Sequence, residues 1–63
     1  MAQTRVIRQV LDIQLLHEKL MGMYVLSDGL HHSMWMGEAE KDELMALTDS
    51  EFVIEAERIL HEE

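Results

Sequence analysis

An all-α fold is what the sequence predicts, and three observations lead there. Residues 4–26, TRVIRQVLDIQLLHEKLMGMYVL, carry apolar side chains at alternating four- and three-residue intervals, the repeat of an amphipathic helix. Residues 38–47, EAEKDELMAL, combine strong helix formers with acids at the start, where the helix dipole favours them. Thr48-Asp49-Ser50-Glu51 then spells a capping box ahead of a second amphipathic run. The expected architecture is a single small helical domain over residues 1–63. It has a long helix at about 4–26, a Trp/Met connector at 27–37, and shorter helices at about 38–47 and 49–62. Oligomerisation completes the bundle.

The long helix carries the argument for self-association. At about 100° per residue, Val6, Val10, Ile13, His17, Leu20 and Tyr24 fall on one seam. Ile7, Met21 and Val25 widen it, and Leu11, Leu15, Leu16 and Met23 extend the apolar surface along both flanks. A helix apolar over most of its circumference is buried on several sides, and this short chain has few other elements to do the burying. The seam is therefore assigned to contact with a second copy. Thr4 is the expected N-cap, Gly22 a weak point costing about 1 kcal/mol relative to Ala, and Ser27-Asp28-Gly29 the stop.

Residues 30–36, LHHSMWM, are ambiguous. A helical or irregular connector is the reading adopted, because a lone two-stranded hairpin is marginal in water. The alternative is a hairpin with residues 21–26 across Ser27-Asp28-Gly29. After Gly37 the pattern is helical to the end. Phe52, Val53, Ala56, Ile59 and Leu60 share one face of the last helix, and Glu51, Glu55, Arg58 and Glu62 share the other.

Length and composition exclude more than they identify. A 63-residue chain buries a modest fraction of its surface and usually needs a disulfide, a metal or a partner. Without cysteine, disulfides and thiolate metal sites are impossible. No apolar run spans a membrane and no leader is evident, so a cytoplasmic location is expected. The net charge of −8 lies entirely beyond Met36, where ten acids face only Lys41 and Arg58. Such a surface repels nucleic-acid phosphates and anionic lipid, and steers in a basic protein.

The chemistry-bearing residues form no recognisable catalytic set. Ser27, Ser33 and Ser50 lie outside any nucleophile elbow, and no enzymatic activity, catalytic residue or cofactor is expected. The bundle di-iron motif, Glu three residues before His, fails because Gln14 precedes His17 and Arg58 precedes His61. His17 reads as a partly buried, hydrogen-bonded core or interface histidine and His61 as a surface partner of Glu57 at a helix end. No metal site is assigned on spacing.

Three functional classes follow. The leading one is a small acidic protein–protein interaction module, an inhibitor, adaptor or antitoxin-like regulator. It self-associates through the long helix and anchors another protein at Met34, Trp35 and Met36, since interface hot spots favour Trp among adaptable neighbours. The second is a nucleic-acid mimic presenting Glu38, Glu40, Asp42, Glu43, Asp49, Glu51, Glu55 and Glu57 to a basic groove. The third is a Cu(I) binder using Met21, Met23, Met34 and Met36 with His31 and His32, because thioether and imidazole suit that ion.

Overall fold

The span 4–26, expected as one helix, is instead occupied by three strands joined by two turns. The computed structural model describes residues 4–29 and 32–61. It contains β1 (Thr4–Val10), β2 (Ile13–Glu18), β3 (Met23–Ser27), β4 (Ser33–Met36), α1 (Glu38–Met45) and α2 (Asp49–His61). The strands form an antiparallel meander in the order β1-β2-β3-β4. The protein is therefore α+β, and the expected all-α bundle is corrected.

The reason lies in three local features that helical periodicity conceals. Val10 pairs with Ile13, so the chain reverses in the two residues Leu11-Asp12, with Leu11 at a φ of 55°. Glu18 pairs with Met23 around a second turn in which Gly22, at a φ of 64°, donates its N–H to the Glu18 carbonyl at 2.8 Å. Neither positive φ fits a continuous right-handed helix. Between Val6 and Arg8 the β1–β2 register shifts by a bulge, which breaks the simple alternation that marks a strand. Val6, Ile7, Val10, Ile13, Tyr24 and Val25 are β-branched or aromatic, residues that suit a pleated surface.

The connector expected at 27–37 contains β4. Its register with β3, from Tyr24 opposite Met36 to Ser27 opposite Ser33, is the hairpin that the sequence reading held as its alternative. It avoids the instability of a lone hairpin because β2 and β1 extend the same sheet.

Alternation sorts the side chains once the register is known. Ile13, Leu15, Leu26 and Met36 turn to the inner face and are buried. The helices supply Leu44, Phe52, Ala56 and Leu60 to the same core, with Phe52, Ala56 and Leu60 repeating every fourth residue of α2. Leu15, Leu26 and Phe52 are the largest fully buried side chains. Burial of each stabilises the fold by about 1.5–3 kcal/mol relative to exposure. The inner face is thus covered by this chain's own helices. The original reason for a second copy, a long helix with too little to cover it, no longer holds.

Caps fix where the helices begin. Gly37, extended at φ −86° and ψ −178°, precedes α1, and its N–H donates to Glu40 Oε1 at 3.2 Å. Ahead of α2, the Thr48 N–H donates to Glu51 Oε1 at 3.2 Å, and the Glu51 N–H donates to Thr48 Oγ1 at 3.3 Å. These reciprocal bonds satisfy two donors that a helix N-terminus would otherwise leave without partners. Among the described residues, no helix is long and apolar enough to cross a membrane.

Candidate functional site

The outer edge of β4 is the first place where function-bearing residues converge. No strand pairs with that edge among the described residues, so half of its backbone N–H and C=O groups point outward. Gly37 follows β4 directly and α1 begins at Glu38, and β4, α1 and α2 bring side chains to one place. The result is a groove of about 460 Å³. Met34, Trp35 and Met36 form one wall, Leu44, Leu47 and Ile59 supply apolar surface, and Glu40, Glu43 and Glu55 stand around it with Arg58. The Arg58 Nε–H donates to Glu55 Oε1 at 3.2 Å, and the guanidinium also binds the second carboxylate oxygen. That pairing lowers the Glu55 carboxyl below its ordinary value, against a smaller opposing effect of desolvation. Arg58 offsets the charge of Glu55, and Glu40 and Glu43 add two further carboxylates to the lining.

The opposite face of the sheet meets the groove at the same edge. Val6 pairs with Leu16, Leu16 with Val25, and Val25 with Trp35, so one row of apolar side chains crosses all four strands. Neither helix covers this row. Val6 and Trp35 are about half exposed, at 53% and 52%.

The six residues expected on one helical seam are distributed over the fold. Val6 lies in the outer row. Val10 and Tyr24 pack against the core and Ile13 belongs to it. His17 stacks on Tyr24 with ring centroids 4.9 Å apart, and the Lys41 ammonium lies 5.0 Å from the same tyrosine ring. Leu20 is exposed in the β2–β3 turn. The seam of Val6, Val10, Ile13, His17, Leu20 and Tyr24 is thus no continuous surface, because Val10, Ile13, His17 and Tyr24 share the inner face while Val6 lies on the outer face and Leu20 in a turn. By contrast, Met34, Trp35 and Met36 stay together at the groove. The four methionines of the copper reading do not converge: Met36 pairs with Tyr24 on the inner face, which puts Met23, one residue earlier than Tyr24, on the outer face. His31 of that reading lies outside the described residues.

A second cluster joins residues that the sequence reading kept apart. Asp28, at the end of β3, is the one buried charged residue among those described, at 7% exposure. Its N–H donates to the His32 carbonyl at 3.2 Å, and the His32 N–H donates to Asp28 Oδ1 at 3.2 Å. These bonds close the turn and aim Oδ2 at His32 Nδ1, 3.0 Å away. His61, in the last turn of α2, brings Nε2 to 3.8 Å from the same oxygen. The two imidazole rings meet edge to face, with centroids 4.6 Å apart. Asp28 and His61 carry no local signature in the sequence. Only the packing of α2 against the β3 end brings them together.

Fold and sites together define a small acidic α+β protein with an open sheet edge. No family model, curated protein or solved structure matches the chain.

Proposed function

We propose that the protein is an interaction module that binds an extended segment of another protein along the free edge of β4. One observation carries this reading: Met34, Trp35 and Met36, all on an edge strand, line a single groove together with the Glu40, Glu43 and Glu55 carboxylates. Strand addition at an open edge supplies main-chain hydrogen bonds, and pockets for alternate side chains supply specificity. The pleat divides the guest's side chains into two sets. Those on the inner side enter the groove, where Leu44, Leu47 and Ile59 favour apolar contact and the carboxylates favour Lys or Arg. Those on the outer side pack on Trp35. The preferred partner is thus an extended segment alternating apolar residues with basic ones. The module acts by binding, and its charge speeds encounter with a basic partner.

Selection from a displayed library of random peptides tests the reading. The expected winners alternate apolar with Lys or Arg residues, shift the fluorescence of Trp35 and lose affinity in Trp35→Ala. Winners without that alternation, or binding that depends on the carboxylates but ignores Trp35, would overturn it. The second pattern is the signature of a nucleic-acid mimic.

A further inference from the structure

We propose that Asp28, His32 and His61 form a binding site for a divalent transition-metal ion, with Zn²⁺ the best-suited occupant. One ligand atom from each residue lies within 4.8 Å of the other two. Asp28 Oδ2 is 3.0 Å from His32 Nδ1 and 3.8 Å from His61 Nε2. Tetrahedral zinc, with bonds of about 2.0–2.1 Å, needs neighbouring ligand atoms about 3.3 Å apart. Closing the triad around an ion therefore changes these separations by about 1.5 Å at most. His61 is free to make these changes, since its side chain is half exposed at the end of α2.

Three further features favour an ion over a simple aspartate–histidine pair. The first is orientation. The His32 backbone N–H holds Asp28 Oδ1, so the carboxylate presents Oδ2 to both rings in a fixed direction. Metal-binding side chains are commonly oriented by a hydrogen bond to an atom that does not itself bind the ion, here Oδ1. The second is charge. A buried carboxylate is costly unless hydrogen bonds or opposite charge compensate it, and a bound dication adds to the compensation that the His32 N–H supplies. Each imidazole ring can donate one nitrogen lone pair to such an ion. The third is access. Asp28 and His61 line a cleft of about 210 Å³ that also carries Asp12 and Glu57, two acids that attract a cation. Three protein ligands leave a fourth position for water or for a carboxylate from that cleft.

The donor set selects the ion. Two imidazole nitrogens and one carboxylate oxygen suit Zn²⁺, and Co²⁺ as its spectroscopic substitute; Ca²⁺ prefers an all-oxygen site and Cu(I) prefers sulfur. The ion would tie the last turn of α2 to the β3–β4 turn, a cross-link that a chain without cysteine cannot obtain from a disulfide. Binding to the folded state alone would raise stability with ion concentration.

The test uses the untagged full chain, stripped with a chelator and titrated with ZnCl2 at neutral pH by calorimetry, alongside thermal unfolding. The expected result is one Zn²⁺ per chain, a micromolar or tighter Kd and a higher Tm in the presence of zinc. His61→Ala, a half-exposed position that the core does not depend on, should weaken binding by at least about tenfold and abolish the Tm rise. Asp28→Asn should do the same. His17→Ala should change neither. With Co²⁺, the visible absorption of a four-coordinate ion should appear in the wild type and disappear in His61→Ala. Millimolar binding, or zinc binding that survives His61→Ala unchanged, would overturn the proposal. So would binding that depends on His32 but not on His61.

Discussion

The Arg8 guanidinium lies over the ring of Phe52, 4.5 Å from its centroid, and so ties β1 to the helices. Its Nη1 donates to the Leu44 and Met45 carbonyls at 3.1 and 3.3 Å, the acceptor-rich end of α1. Its Nη2 reaches Asp49 Oδ1 at 2.7 Å, in the first turn of α2. One side chain on the inner face thus joins a strand, the end of one helix and the start of the next. The bulge before Arg8 turns it inward beside Leu15. Arg8→Ala removes hydrogen bonds from a charged donor and a ring contact together, and the expected loss is about 2–3 kcal/mol. Arg8→Lys keeps the charge but loses the fork, and about half of that loss is expected. Urea unfolding of the three proteins checks both the sign and the order.

Two glycines have positive φ, and their surroundings predict unequal costs. At Gly29, with φ 77°, an added Cβ would lie 2.9 Å from the Asp12 carbonyl oxygen. At Gly22, with φ 64°, it would meet nothing within 4 Å. Gly22→Ala therefore carries only the left-handed backbone penalty, about 1 kcal/mol. Gly29→Ala adds a steric clash with backbone, for an expected total of about 2–3 kcal/mol. Thermal unfolding should rank wild type above Gly22→Ala, and Gly22→Ala above Gly29→Ala. Equal losses would mean that the β1–β2 and β3–β4 turns do not touch.

The helical half of the fold was readable because its signals are local. Thr48 and Glu51 mark the start of α2, Gly37 marks the start of α1, and Phe52, Ala56 and Leu60 announce the buried face. The sheet was hidden because its decisive features are not written in turn-forming residues. Leu11 occupies a position where Asn or Gly is the usual signal, and the bulge next to Ile7 disrupts alternation. Val6, Val10, Ile13, His17, Leu20 and Tyr24 then imitate a helical repeat although two turns separate them. The same distinction divides the sites. Met34-Trp35-Met36 is contiguous, and its composition alone singles it out. Asp28, His32 and His61 acquire meaning only when α2 packs against the end of the sheet.

The Glu55–Arg58 pair predicts a direction for acid sensitivity. Arg58 depresses the Glu55 carboxyl in the folded state, so the contribution is present above the ordinary glutamate value of 4.5. It is lost as pH falls through the lower folded value. Both side chains are solvent-accessible, and the effect is accordingly small. Glu55→Gln should therefore have a slightly lower Tm than wild type at pH 7, and the gap should close as pH drops below about 4.5, so that the variant's fall in Tm is the shallower one. A steeper fall in the variant would contradict the pairing. The same substitution weakens the groove's negative charge, so binding of a basic peptide should decrease at pH 7.

Leu11 gives the sharpest test of the fold, because a helix and a hairpin predict opposite signs for one substitution. In the structure Leu11 sits in a two-residue turn at a φ of 55°, with its side chain 78% exposed. A left-handed conformation costs a branched residue about 1–2 kcal/mol, and glycine adopts it without steric penalty. The gain is partly offset by the greater freedom of glycine in the unfolded chain. Leu11→Gly should stabilise the protein by about 0.5–1 kcal/mol, and Leu11→Asn should act in the same direction more weakly. In a helix spanning residues 4–26, Leu11→Gly would instead destabilise by about 1 kcal/mol. Urea midpoints measured at unchanged m-value distinguish the two. A higher midpoint for Leu11→Gly supports the hairpin, and a lower one would mean that the β1–β2 turn is not formed as described.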